Sequence, residues 1–254
     1  MTLKKLLIFG LCISLFACSS ESTDTPDEPT NDSTLLKKTI ETYDDEVITT
    51  NYTYDGNKLI SVISDDGYKF EYIYENGILV RVNSYVDGEL DGYTTISYNQ
   101  NEKIANYILH IINDITEKYV FTFNSDNTVT ESRYIGDLNS QTNFQNTTTY
   151  SYTGENITNL TNTGYELSYQ YDNKNGIYKN IHAIEVLNLL SIDFGALNGN
   201  TNNPTSIIDN NNGNIASETF GYTYNESDYP KTANYTSKYK GVTDDTSTIQ
   251  FFYE

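Results

Sequence analysis

The sequence predicts an all-β fold: a long antiparallel meander of tandem β-hairpins, curled or layered, with one short helical or irregular insertion. Three observations predict it. A phrase recurs along the chain, in which Tyr-x-Tyr is followed by a turn of Asp, Asn, Glu or Gly and then by a β-branched run. It is fullest at Tyr52-Thr53-Tyr54-Asp55-Gly56-Asn57-Lys58-Leu59-Ile60 and returns at Tyr72-Ile73-Tyr74-Glu75-Asn76-Gly77-Ile78-Leu79. Second, Tyr is the compositional outlier, with 24 copies against 10 Phe and no Trp, and aromatic side chains suit a pleated, half-buried surface. Third, Asp-Gly and Asn-Gly pairs sit between alternating runs, the strongest short-range hairpin signal.

From about Leu35 the chain reads as strands and turns. Leu36 to Tyr43 alternates and Asp44-Asp45-Glu46 turns it. Val47 to Tyr54, Leu59 to Ser64, Tyr68 to Tyr74 and Ile78 to Tyr85 follow as strands. In the third of these, Tyr68, Phe70, Tyr72 and Tyr74 share one face because side chains alternate across a strand. Asp87 to Gly92 reads as a longer loop. Looser copies of the phrase lie at Ile96-Ser97-Tyr98, Phe121-Thr122-Phe123, Tyr150-Ser151-Tyr152, Tyr169-Gln170-Tyr171, Tyr222-Thr223-Tyr224 and Phe251-Phe252-Tyr253. Each ordinary interval holds two strands and two turns, so the unit is a hairpin, and such a sheet must twist and then curl or split into layers. Its edge strands would invite pairing with another chain.

The interval from Tyr169 to Tyr222, 53 residues, departs from this rhythm. Ile177 to Phe194 places Ile181, Ile184, Val186, Leu187, Leu189, Leu190 and Ile192 near one helical face, and a short helix or irregular plug over the sheet is expected within an insertion at about 177–214. Gly195 to Asn203 and Asp209 to Asn214 read as Asn/Gly-rich loop, with Thr205 to Ile208 a strand between them.

The first residues give an address. Lys4 and Lys5 precede a twelve-residue apolar run, Leu6 to Ala17, too short to span a bilayer as a helix, which takes ~20 residues. Leu15-Phe16-Ala17-Cys18 resembles the lipobox of bacterial lipoproteins. The resemblance implies that residues 1–17 are a signal peptide and that Cys18 becomes the acylated first residue, carrying diacylglycerol and an amide-linked chain such as palmitate. Several acyl chains anchor stably where one is marginal. Cys12 falls in the signal, so the mature chain has no thiol for a disulfide. Residues 18–34 are polar and acidic, too poor in apolar groups to offset ordering, and read as a flexible tether to a domain spanning 35–254. Glu21 and Asp24 loosely resemble the surface-export signal of Bacteroidetes lipoproteins; periplasmic and surface faces of the outer membrane both stay open.

The hairpin phrase resembles the YD repeats of Rhs-type proteins, where many more copies form a shell. It is closer to uncharacterised Bacteroidetes lipoproteins with tandem YD-like hairpins. That likeness is carried by Tyr171-Asp172-Asn173-Lys174-Asn175, Lys179-Asn180-Ile181, Asn203-Pro204-Thr205-Ser206, Tyr222-Thr223-Tyr224-Asn225 and Asp228-Tyr229-Pro230. It implies the architecture and the anchor, and no activity.

The formal charge is −20, and −22 once Lys4 and Lys5 are removed. Such a surface repels nucleic acid. No Gly-x-Ser-x-Gly elbow or phosphate loop is present, and the two histidines, His110 and His182, lie in different kinds of segment. Carboxylate pairs at Asp44-Asp45, Asp65-Asp66 and Asp244-Asp245 fall where turns call for Asp. Asp87-Gly88-Glu89-Leu90-Asp91-Gly92 imitates half an EF-hand, but position twelve is Tyr98 rather than Glu. The expectation is a non-enzyme without metal or cofactor. Its first functional reading is an envelope binding or scaffold module for a protein or glycan. The second is a carrier holding an apolar ligand under the Leu-rich plug, and the third a glycan hydrolase. The carrier reading requires a closed apolar cavity beneath residues 181–192, the binding reading an exposed aromatic patch, and the hydrolase carboxylates clustered in a cleft with perturbed pKa values.

Overall fold

The computed structural model describes residues 34–44, 46–112, 115–190 and 201–254. Sixteen strands follow one another as a meander. The first eight are β1 (Leu36–Tyr43), β2 (Glu46–Asp55), β3 (Lys58–Ser64), β4 (Tyr68–Glu75), β5 (Ile78–Val86), β6 (Glu89–Tyr98), β7 (Ile104–Ile111) and β8 (Thr116–Phe123). The chain continues through β9 (Thr128–Gly136), β10 (Gln141–Thr153), β11 (Asn156–Asn162) and β12 (Tyr165–Tyr171). After a single short helix, α1 (Ile184–Leu187), come β13 (Pro204–Asn211), β14 (Asn214–Tyr224), β15 (Pro230–Tyr239) and β16 (Val242–Tyr253).

Every strand pairs antiparallel with its sequence neighbours, and β1 pairs with β16 to close a barrel. Closure corrects the expectation of a curled or layered sheet and answers what the sequence left open, whether the sheet closes or keeps free edges. A meander of this length leaves two edges whose backbone groups need partners, and pairing them with each other satisfies both. Thr39 faces Phe251 and Glu41 faces Ile249 across the seam.

The recurring phrase has a structural meaning that its sequence did not disclose. A register shift falls at the second aromatic of six copies: between Thr53 and Tyr54, Ile73 and Tyr74, Ser97 and Tyr98, Ser151 and Tyr152, Gln170 and Tyr171, and Thr223 and Tyr224. In the first copy Tyr54 pairs with Leu59 while Thr53 pairs with Ser61, so Ile60 is the extra residue. A bulge bends its strand and increases the local twist. Repeated around one end of the barrel, it turns the hairpin tips inward. The bent ends are pinned by the tyrosine hydroxyls. Tyr54 donates to the Leu36 carbonyl at 2.9 Å, Tyr98 to Leu79 at 2.7 Å, and Tyr171 to Ile157 at 2.7 Å. The Phe121-Thr122-Phe123 copy has neither hydroxyl nor bulge.

The turns at the opposite end are tighter. Asp87-Gly88 and Asn212-Gly213 both have two positive φ values (51° and 83°, 49° and 83°), the geometry of a type I′ hairpin turn. The supposed loops at Asp87–Gly92 and Asp209–Asn214 are therefore two-residue turns flanked by strand. Polar residues at a barrel rim look like loop in composition alone.

Side-chain alternation sorts the wall. Inward positions carry Tyr52, Tyr72, Val82, Ile96, Tyr107, Tyr119, Phe121, Tyr150, Ile207, Phe220, Ile249 and Phe251, all buried in one apolar cluster. Outward positions are dominated by Thr, Ser, Asn and charged groups: Thr49, Asn51 and Thr53 on β2, Thr147, Thr149 and Ser151 on β10, and Thr232, Asn234 and Thr236 on β15. A barrel facing hydrocarbon has the reverse arrangement, apolar outside and polar within.

Candidate functional site

The insertion between β12 and β13 covers the end where the bulges lie. It begins after Tyr171 and ends at Asn203, so residues 204–214 are strand and turn rather than part of it. Its helix is only one turn, Ile184–Leu187, entered through Ala183 at φ 60°. The predicted helical face past Leu190 lies outside the described residues. The apolar side chains do what the pattern required, since Ile177, Tyr178, Ile181, Val186, Leu187, Leu189 and Leu190 are all buried in the main cluster.

Polar bonds hold this plug to the hairpin tips. The His182 backbone amide donates to the Asn57 carbonyl at 2.9 Å, and its Nε2 donates to the Gly77 carbonyl at 3.0 Å. Asn180 Nδ2 donates to the Thr34 carbonyl at 3.0 Å and to the Tyr229 hydroxyl at 2.8 Å. Tyr178 and Tyr52 hydroxyls meet at 3.2 Å inside the barrel. On another side, Asn203 is 1% exposed and acts as a hub. Its Oδ1 accepts from the Ile177 amide at 3.1 Å, and its Nδ2 donates to Asp172 Oδ2 at 3.1 Å and to the Asn175 carbonyl at 2.9 Å. Tyr224 donates to Asp172 Oδ2 at 2.6 Å, and Lys174 pairs with Asp228 at 2.8 Å. Burial, then the Asp172 carboxylate, pushes the Tyr224 hydroxyl upward.

Facing the β6–β7 and β8–β9 tips, the plug leaves a cleft of about 310 Å³. Its apolar wall is Val186 and Leu189 from the plug with Ile104, Phe123, Val129 and Tyr152 from the barrel. Its polar border is Glu102, Lys103, Asn124, Thr128 and Glu185. Lys103 Nζ sits 4.6 Å from the Phe123 ring centre, and Asn124 Nδ2 is held at 2.9 Å by both Thr128 and Thr130 hydroxyls. Burial pushes Tyr152 up to about 12, and burial with the Glu185 charge does the same for Tyr98. The volume lies at the lower end of the range for small-molecule sites, and the mixture of apolar wall and few polar groups is typical of them.

The residues singled out in the sequence do not converge on this cleft. Cys18, the signal peptide at 1–17 and most of the tether at 18–34 lie outside the described residues. His110 is on the outward face of β7, stacked on Tyr93 with ring centres 4.4 Å apart, and burial and Arg81 lower its pKa. His182 is structural in the plug. Asp65 accepts from the Thr49 amide at 2.9 Å as a turn residue does, whereas Asp244 and Asp245 lie within β16, not in a turn. Among the described residues no group of three His, Cys, Asp or Glu side chains is placed to hold a metal ion. Sequence reading missed the inward polar groups of β8 and β9. Glu117 forms an ion pair with Arg133, and Glu131, 5% exposed, accepts from the Tyr150 hydroxyl at 2.7 Å. The alternation of Glu117 with Tyr119 and Phe121 was the signal for them.

The fold and the plug together define a plugged, sixteen-stranded up-and-down β-barrel. No family model matches the chain, and no curated protein does. A solved structure of a porin-like protein from Bacteroides uniformis shares the fold, with TM-score 0.54 and 12% identity over 86% of this chain and 96% of that one.

Proposed function

We propose that this chain is a non-catalytic, lipid-tethered binding module of the bacterial outer membrane. It takes an amphipathic small molecule in the cleft between α1 and the β6–β7 and β8–β9 tips. The carrying observation is that cleft, an apolar wall with a polar border beneath residues 185–189, open at that border where a carrier required a closed cavity. The likeness to a porin-like barrel supports an envelope setting, and the Cys18 lipobox supports the tether. The wall supports a barrel that stands in water beside the membrane, since its outward strands are polar and its lumen is packed with tyrosine and aliphatic groups.

The test uses Nile red, a neutral amphipathic dye whose emission rises on entering an apolar site. Glu185→Trp places a bulky ring on an exposed position of the cleft border and is expected to weaken dye binding about tenfold, the loss of roughly 1.4 kcal/mol. Ile73→Trp, on the outer wall, is expected to change nothing. Equal dye binding by both variants and the parent overturns the assignment of the cleft.

A further inference from the structure

The rim opposite the plug is made of short turns. Of the sixteen large apolar side chains that are exposed among the described residues, eleven lie in those turns or within two residues of them. Val242 is 71% exposed and Leu138 66%, with Val47, Tyr68, Ile115 and Ile215 near half. The plugged end has two, Ile78 and Phe252, and the tall outer wall between carries the remaining three, Ile73, Phe144 and Ile208. Scattered exposed apolar residues are ordinary on a protein surface, but a collar of them concentrated at one rim marks an interaction surface.

Charge on the same rim narrows the partner. Asp44 and Glu46 flank the β1–β2 turn, Asp65 and Asp66 form the β3–β4 turn, and Asp87 and Glu89 flank β5–β6. Asp91, Asp137, Asp244 and Asp245 extend the series. Against these ten acids the described rim carries four lysines, Lys69, Lys118, Lys238 and Lys240, and Lys69 is already paired with Glu71 at 2.6 Å. The plugged end is more balanced, with Lys37, Lys58, Lys103, Lys174, Lys179 and Lys231 near its acids. An anionic lipid surface is repelled by such a rim, and an acidic protein likewise. The surface that complements it is cationic and apolar together.

We infer that this rim docks a basic amphipathic polypeptide segment of a partner, its apolar side chains seated on the collar and its lysines or arginines set against the turn carboxylates. The acids would steer the encounter and the collar would supply the desolvated contact. This inference rests on the rim alone and stands or falls independently of the cleft.

The test measures binding of fluorescently labelled synthetic peptides by anisotropy, using the chain from Ser19 onward. The barrel closes and packs its own core within residues 33–254, so this chain keeps its fold. An amphipathic Lys/Leu helix is expected to bind at least about tenfold tighter than a Lys/Ser peptide of equal charge and than a Glu/Leu peptide of equal apolarity. Binding is expected to weaken as salt is raised. The variant Leu138→Ser/Val242→Ser keeps every charge and alters only well-exposed positions; it is expected to lose about tenfold, while Ile73→Ser/Ile208→Ser on the wall loses nothing. Equal binding of the Lys/Ser peptide reduces the rim to non-specific charge and overturns the inference. So does an unchanged rim variant. Uptake by phosphatidylcholine vesicles that the rim variant abolishes, with no preference for the Lys/Leu peptide, assigns the collar to a lipid surface instead and also overturns it.

Discussion

The tyrosines work at two atoms. The ring fills the lumen, and the hydroxyl either finds a carbonyl or sits in a place that disfavours its charge. Burial pushes Tyr98, Tyr152 and Tyr169 up to about 12, and it pushes Tyr52, Tyr72 and Tyr178 upward as well. In the unfolded chain these groups ionise near the ordinary value of about 10. Above that pH the folded chain binds more protons than the unfolded one, so stability falls as pH rises. Each such tyrosine contributes a slope of about 1.4 kcal/mol per pH unit between its unfolded and folded pKa values. Several acting together exceed the usual net stability of a domain within about two pH units. Unfolding free energy from urea titrations is expected to be flat from pH 7 to 9 and to drop steeply from about pH 10. Absorbance at the phenolate band should rise together with loss of the strand signal. A free energy still constant at pH 11 contradicts the assignment of these rings to a dry interior. That Tyr68, Phe70, Tyr72 and Tyr74 share one face was legible in the sequence from alternation alone, although Tyr72 is buried and Tyr68 is exposed at the rim. The hydroxyl-to-carbonyl bonds were not, because they join different hairpins.

At the scale of elements, the meander order and the limits of the first five strands followed from the sequence, and the plug did so only in part. Its buried aliphatics were visible at roughly helical spacing, yet one turn of helix forms. Asn180, Asn188 and Ala183 interrupt the run, and the backbone is held by side-chain bonds instead of by a continuous helical ladder. The phrases Tyr171-Asp172-Asn173-Lys174-Asn175, Asn203-Pro204 and Asp228-Tyr229-Pro230 stood out one by one. That Asp172, Asn203, Tyr224, Lys174 and Asp228 meet in one network depends on strand pairing around the barrel, which no local pattern states. Asn203→Ala removes the acceptor of the Ile177 amide and the donor to Asp172 and the Asn175 carbonyl, all in a buried setting. Each buried polar group left unpaired costs about 1–3 kcal/mol. A loss of about 3 kcal/mol in denaturant unfolding is expected. Hydrogen exchange should accelerate most at the amides of Ile177 and Lys179, ahead of the β8 and β9 amides. Uniform acceleration over the whole barrel contradicts a local hinge of the plug at Asn203. Leakage of Nile red from the variant follows if the plug forms one wall of the cleft.

The whole molecule combines a closed sheet with an inverted polarity. Sixteen strands leave room for an aqueous channel in a transmembrane barrel. Here one end is filled by aromatic rings and a plug, and the outward wall is Thr, Ser, Asn and charge. Polarity was readable strand by strand from the alternation, but closure was not. Whether a meander curls, splits or closes depends on accumulated twist, and the twist comes from bulges that only strand pairing reveals. The polarity also separates two ways of reaching a membrane. A lipid-facing wall carries its own insertion energy, whereas under the proposed tether a water-facing wall would depend entirely on acyl chains at Cys18. Changing Cys18→Ala removes the thioether and leaves every wall residue in place. The parent is expected in the membrane fraction, released by detergent and resistant to a high-salt wash. The variant is expected in the aqueous fraction after osmotic release, with its strand spectrum intact and no detergent present. Should the variant instead need detergent for extraction while remaining folded, the wall itself would be seated in lipid. The outward threonines and asparagines would then have to face hydrocarbon, at the cost that unsatisfied polar groups incur there. Proteolysis discriminates as well. A barrel standing in water exposes both rims to protease added to opened cells, whereas a spanning barrel shields the wall and presents one rim on each side.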